Sequence, residues 1–132
     1  MKVTGILLNQ EQNSPFLEIK EIEENNLDEF YEVLDCNTID LDCNTIDIVV
    51  RKIGTEYFDI VCDDEGLFKE NPRVSAVDKN GKPMLVGNLF ICKHDNEGRL
   101  VSLSASDFAC IQRSVRFAFT EDGIHIVIEI DY

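Results

Sequence analysis

Ile124, Ile126, Ile128 and Ile130 alternate with His125, Val127, Glu129 and Asp131. Side chains of a strand point to opposite faces in turn, so this spacing gives a strand with one wholly apolar face. No other segment constrains the fold as tightly. Other strand patterns precede it. Residues 2–8 are rich in Val, Ile and Leu, and Phe16 to Ile22 carries Leu17 and Ile19 two apart. Ile46 to Ile53 and Glu56 to Cys62 flank a turn at Gly54-Thr55. Val74 to Val77 and Met84 to Val86 flank Asp78-Lys79-Asn80-Gly81, a strong turn signal. Leu89 to Cys92 is strand-like, and Asp95-Asn96-Glu97-Gly98 reverses the chain into Leu100-Val101.

Two segments break this rhythm. Leu27, Phe30, Tyr31 and Leu34 fall at helical spacing, with Asn26 as N-cap and Asp28 and Glu29 at the positive end of the helix dipole. Ser104 opens a second helix, with Asp107 three residues on in a weak capping-box arrangement. Phe108, Ile111 and Val115 share its apolar face, and Arg113 and Arg116 stand near its C-terminal end. Glu121-Asp122-Gly123 is a turn. Strands with two separated helices predict an α+β fold, largely antiparallel, in a single domain over residues 1–132.

Charge bounds the partners. Residues 1–70 hold eighteen acids and five bases, net −13; residues 71–132 hold eight acids and seven bases, net −1. Residues 18–47 alone carry eleven acids against Lys20. Direct nucleic-acid binding is excluded, because phosphate contacts need Lys and Arg, and anionic membrane surfaces fall by the same argument. No apolar run reaches the roughly eighteen residues of a membrane helix, and the first residues lack the length and cleavage site of a signal peptide. Cys36, Cys43, Cys62, Cys92 and Cys110 are odd in number and not clustered, so reduced, buried thiols in a cytoplasm are expected.

Within the acidic stretch, Leu34-Asp35-Cys36-Asn37-Thr38-Ile39-Asp40 is followed by an identical copy, Leu41 to Asp47. Two seven-residue copies are too few for a solenoid. Because seven is odd, two extended copies would present opposite faces. The second copy is expected to enter the strand at Ile46, with the first extruded as an acidic loop.

Thr45-Ile46-Asp47-Ile48-Val49, Tyr57-Phe58-Asp59-Ile60-Val61-Cys62-Asp63-Asp64-Glu65-Gly66, Asn71-Pro72, Asp78-Lys79-Asn80-Gly81, Val86-Gly87-Asn88-Leu89-Phe90-Ile91-Cys92 and Ser102-Leu103-Ser104 carry a family likeness. Over roughly residues 45–111 the chain resembles domain-of-unknown-function family 3846, more loosely over the first strand and helix. The resemblance implies a setting on bacterial phages and conjugative elements, often among antirestriction genes. It implies no catalytic residues. The duplicated heptad and the apolar strand after Gly123 depart from the family pattern.

Other motifs are weaker. Asp63-Asp64-Glu65-Gly66 lacks the alternating ligands of a calcium loop and reads as a solvated turn. Cys92 and His94 share a strand face, as a nucleophile and base would, but Asp95 points the other way. Zinc would require Cys62, Cys92, His94 and His125 to converge without paired Cys-x-x-Cys spacing. His125 reads as a surface or hydrogen-bonded histidine. No metal, cofactor or catalytic residue is therefore assigned. Lys93, Arg99, Arg113 and Arg116 suggest a modest basic patch, which could meet the acidic half of a second copy in a homodimer.

The leading expectation is a non-enzymatic, acidic protein-binding module of a mobile element. Its carboxylates Glu21, Glu23, Glu24, Asp28, Glu29, Glu32, Asp35, Asp40 and Asp42 would imitate the charge array of nucleic acid. Duplex DNA presents one negative charge per ~1.7 Å, so dense acids can occupy a groove built for phosphates. The partner would be the basic surface of a host nucleic-acid-binding protein such as a defence nuclease. The rivals are an accessory adaptor, dimerising through the Ile124 to Ile130 strand, and a small-molecule binder or enzyme using Asp63, Asp64, Cys92 or His94.

Overall fold

A computed structural model describes residues 2–10, 14–23, 25–34, 46–63, 73–121 and 123–132. The chain runs β1 (Lys2–Asn9), β2 (Phe16–Glu23), α1 (Leu27–Val33), β3 (Ile46–Ile53) and β4 (Glu56–Asp63). It continues through β5 (Val74–Val77), β6 (Pro83–Val86), β7 (Leu89–His94), β8 (Leu100–Val101), α2 (Ala105–Arg113), β9 (Val115–Thr120) and β10 (Gly123–Glu129). The fold is broadly α+β, mostly antiparallel sheet with two short helices.

The strands form two sheets rather than one. The first is six-stranded, ordered β2-β1-β7-β4-β3 with β8 on the end of β7; the second is four-stranded, ordered β6-β5-β10-β9. One pair is parallel: β10 runs beside β5, with Ile128 opposite Ala76. Local patterns mark every described strand except β9, but sheet membership depends on contacts distant in sequence. β1 pairs with β7 across more than eighty residues, through Ile6 and Ile91.

Strand alternation builds two cores from the first sheet. Ile6, Leu8, Phe58, Ile60, Cys62, Leu89 and Ile91 face the second sheet and α2, meeting Ile126, Ile128, Ile130, Cys110 and Ile111. Val3, Ile22, Val61, Phe90 and Cys92 face the other way, where Phe30 and Leu34 of α1 close over them. The first sheet is thus the middle layer. Each fully buried isoleucine contributes about 2 kcal/mol. Phe30 meets Phe90 edge-on, with centroids 5.8 Å apart. The side chains of Leu27 and Tyr31 lie outside the described residues.

Both helix starts follow their sequence signals. Asn26 accepts a hydrogen bond from the Glu29 backbone N–H, and Ser104 and Asp107 form a complete capping box. The second helix ends sooner than its spacing predicts. The Ser114 N–H bonds back to the Ile111 carbonyl, and its hydroxyl bonds to the Cys110 carbonyl at 3.3 Å. Val115 therefore begins β9 instead of extending the helix, and Arg116 lies on that strand rather than at the helix end. The alternating Val115, Phe117 and Phe119 favour a strand. β10 is interior to its sheet, so it is not the free strand that a dimer through Ile124 to Ile130 requires.

Gln10 joins the two sheets. Its side chain is buried and donates to the carbonyls of Val74 and Ile126 and to the Ser75 hydroxyl. Its amide oxygen accepts from the Ile126 N–H at 2.9 Å. Asn88 extends this link, accepting from the Gln10 N–H and donating to the Val33 carbonyl at the end of α1.

Candidate protein-binding face

Edge strand β2 and helix α1 bring together part of the acidic stretch. Burial of Phe30 and Leu34 turns Asp28 and Glu32 to solvent. Asp28, Glu29 and Glu32 line an open groove of about 420 Å3 with Lys20, Asn26 and Val33. Among the described residues, Lys20 is the one base in that lining. Glu29 also braces the fold. Its carboxylate accepts from the Asn26 amide at 3.4 Å and from the Glu23 N–H at 3.5 Å. It holds the start of α1 against the end of β2, so its charge is partly committed to the fold.

The nine acids expected to act together divide. Ile22 points towards α1, so alternation turns Glu21 and Glu23 to the opposite face of β2. There the Thr4 hydroxyl reaches Glu21 at 3.5 Å. Asp28, Glu29 and Glu32 share the groove. Glu24, Asp35, Asp40 and Asp42 lie outside the described residues, as does most of the duplicated heptad; Ile46 and Asp47 of its second copy open β3. Sequence reasoning left out Glu18, an exposed acid on the same β2 face as Lys20 and Ile22. Counting in twos from Ile22 identifies it.

A different acid accompanies the Cys92 and His94 pair. Asp59 of β4 lies opposite Cys92, and its buried carboxylate is 2.7 Å from His94 Nδ1. Asp95 instead caps its own turn, accepting from the N–H groups of Glu97 and Arg99. Cys92 is fully buried. Burial, reinforced by the Asp59 charge, pushes its thiol up to about 12. A thiol so protonated is a poor nucleophile at neutral pH. Against the ordinary value of 9.0, its thiolate fraction falls about a thousandfold. Cys92 is therefore expected to stay unalkylated by iodoacetamide at pH 8 until the chain unfolds, as read by peptide mass mapping; rapid labelling of the folded protein would contradict this environment.

The four residues considered for zinc do not meet. Cys62 faces the inter-sheet core, Cys92 faces α1, His94 pairs with Asp59, and His125 Nδ1 lies 3.3 Å from the Val74 carbonyl. His125 is buried, not at the surface. Asp63 ends β4, while Asp64, Glu65 and Gly66 lie outside the described residues.

Two of the four bases are engaged by acids. Lys93 lies 2.7 Å from Asp107 and 3.2 Å from Glu56, and Arg99 pairs with Glu97. The Asp107 hydrogen bond dominates in holding the Lys93 ammonium above its usual range. Burial pushes the Asp107 carboxyl up, but bonds from Lys93 and Ser104 outweigh it and hold the group below the carboxylate range. These charges secure α2 to β7. Arg113 ends α2, and Arg116 stands on β9.

No described helix is long and apolar enough to cross a membrane. No curated protein and no solved structure matches the chain. One family model matches residues 1–116, which takes in β1 through α2 and stops at the start of β9. The likeness is therefore wider than residues 45–111, and the chain belongs to the family described as Domain of unknown function (DUF3846).

Proposed function

We propose that the α1–β2 edge binds a cationic surface on a nucleic-acid-binding protein and excludes nucleic acid from it. The observation that carries this reading is the groove in which Asp28, Glu29 and Glu32 outnumber Lys20 among the described residues. Exposed carboxylates on a helix and the adjoining edge strand offer a guanidinium or ammonium array several acceptors at fixed positions. The net charge of −14 steers a basic partner towards the protein and repels nucleic acid. The setting implied by the family resemblance makes a host defence nuclease the leading target, with an antirestriction role for a phage or conjugative element.

Paired reversal of Asp28 and Glu32 to Lys tests the reading. Both are exposed, so the variant is expected to fold, with a melting temperature lowered by no more than a few degrees by the loss of Asp28 from the positive end of α1. Glu29 is left intact because it ties the Asn26 cap of α1 to the end of β2. Immobilised wild-type protein is expected to retain a nucleic-acid-binding protein from bacterial lysate and to release it in a salt gradient. The variant is expected to lose at least tenfold in affinity for that protein. Equal retention by both would remove this face from consideration.

A further inference from the structure

The bonding parity of β1 shows which backbone groups of β2 are open. Thr4 gives its N–H to the Ser102 hydroxyl and accepts the Leu103 N–H at its carbonyl, so both its backbone groups point away from β2. Gln10, of the same parity, gives its N–H to Asn88. Successive residues of an antiparallel strand bond to opposite sides. Val3, Gly5 and Leu7 therefore bond to β2, through their register partners Ile22, Lys20 and Glu18. The intervening Leu17, Ile19 and Glu21 turn their N–H and carbonyl groups to the outer edge, where no described strand meets them. Glu23 closes the end of this opening. Its N–H meets the Glu29 carboxylate, and its carbonyl accepts the Asn26 N–H at 2.9 Å. The other edge of the same sheet, β3, is strapped by two backbone bonds between Lys52 and Asp131.

An edge with free backbone groups is a template for an added strand, and charge selects which strand. Glu18 and Lys20 share the α1 face with Ile22, and Lys20 lines the groove with Asp28, Glu29 and Glu32. A strand laid along β2 would set alternate side chains beside that groove. Its other side chains would lie over Leu17 and Ile19, the latter 63% exposed. Glu18, Asp28 and Glu32 are exposed acids that favour bases in the first set. A second copy of this chain fits poorly, because residues 1–70 carry a net charge of −13 and edge-to-edge contact would oppose two such halves.

We infer, given the proposed role of this edge, that the partner engages it through an extended basic segment that adds to β2 as a further strand. Main-chain bonds to Leu17, Ile19 and Glu21 hold the segment. Lysine or arginine beside Glu18, Asp28 and Glu32, and apolar residues over Leu17 and Ile19, select it.

Amide hydrogen exchange read by NMR at low salt tests this, with a short synthetic peptide alternating lysine and valine as the probe. The peptide is expected to protect the Leu17, Ile19 and Glu21 amides, while those of Glu18 and Lys20, already bonded to β1, change little. The same peptide with every backbone amide methylated keeps its charges and is expected to bind at least about tenfold more weakly. Ile19→Pro removes one outward N–H at a position where an edge strand tolerates proline, and is expected to lose the unmodified peptide to a similar extent. Ile19→Val keeps that N–H and is expected to retain the peptide. Equal binding of the two peptides, or binding without the alternating protection, would overturn the added strand and leave a groove that acts by charge alone, which the Asp28 and Glu32 reversal reads separately. No binding of the unmodified peptide to the wild type would also overturn it.

Discussion

Replacing Gly5 with alanine is expected to destabilise the protein by about 3 kcal/mol, lowering its melting temperature by about 10 °C. An added Cβ would lie 2.3 Å from the Ile91 carbonyl oxygen and 2.7 Å from Cζ of Phe90. Neither neighbour is free to yield. Phe90 is fully buried between the sheet and Phe30 of α1, and Ile91 stands in the middle of β7, with β1 on one side and β4 on the other. Relief requires β1 to part from β7, yet their ladder spans only Ile6–Leu8 against Leu89–Ile91. Gly81 offers a comparison. It has φ 80° and nothing within 4 Å of its would-be Cβ. Gly81→Ala is therefore expected to cost only about 1 kcal/mol, from backbone strain alone. Thermal unfolding followed by circular dichroism separates the two. A Gly5→Ala melt within 3 °C of wild type, a shift of roughly 1 kcal/mol or less, would contradict this packing.

Gln10→Ala is expected to cost about 3 kcal/mol, and for a different reason. The substitution vacates most of a buried side chain and strips partners from the carbonyls of Val74 and Ile126, from the Ser75 hydroxyl and from the Ile126 N–H. A buried polar group left unpaired loses about 1–3 kcal/mol, and a water entering the vacated space would recover part of that. Ser75→Ala removes one of these partners and is expected to cost less, about 1 kcal/mol. Urea unfolding reads both. A Gln10→Ala loss no greater than that of Ser75→Ala would mean that the amide does not bind the sheets together.

What could be read along the chain was local. The isoleucines of β10 and the caps at Asn26 and Ser104 are short-range patterns, and each appears where its spacing predicts. β9 was hidden because Val115 continues the helical spacing of Phe108 and Ile111; the backbone bonds at Ser114 decide the matter. Two sheets could not be inferred, since β1–β7 and β5–β10 pairs join segments far apart in sequence. Gln10 falls between the strand patterns at residues 2–8 and 16–22, and its burial follows from the approach of β5 and β10.

The candidate face was legible in the same limited way. Helical spacing turned Asp28 and Glu32 outward, as the structure has them. A count of acids could not tell that Glu21 and Glu23 lie on the reverse face of β2 or that Glu29 braces the Asn26 cap of α1; parity from Ile22 and the spacing from Asn26 supply both. Asp59 beside His94 escaped notice because the register of β4 on β7, not sequence proximity, brings them together.

The most direct measurement is a competition. The protein would be mixed with the purified partner recovered from lysate, and duplex DNA or RNA titrated in while free and bound species are followed by sedimentation. Mutually exclusive binding is predicted, with nucleic acid displacing this chain from the partner and higher salt weakening both complexes. A stable ternary complex of partner, nucleic acid and this protein would contradict the proposal that the acidic edge takes the place of nucleic acid.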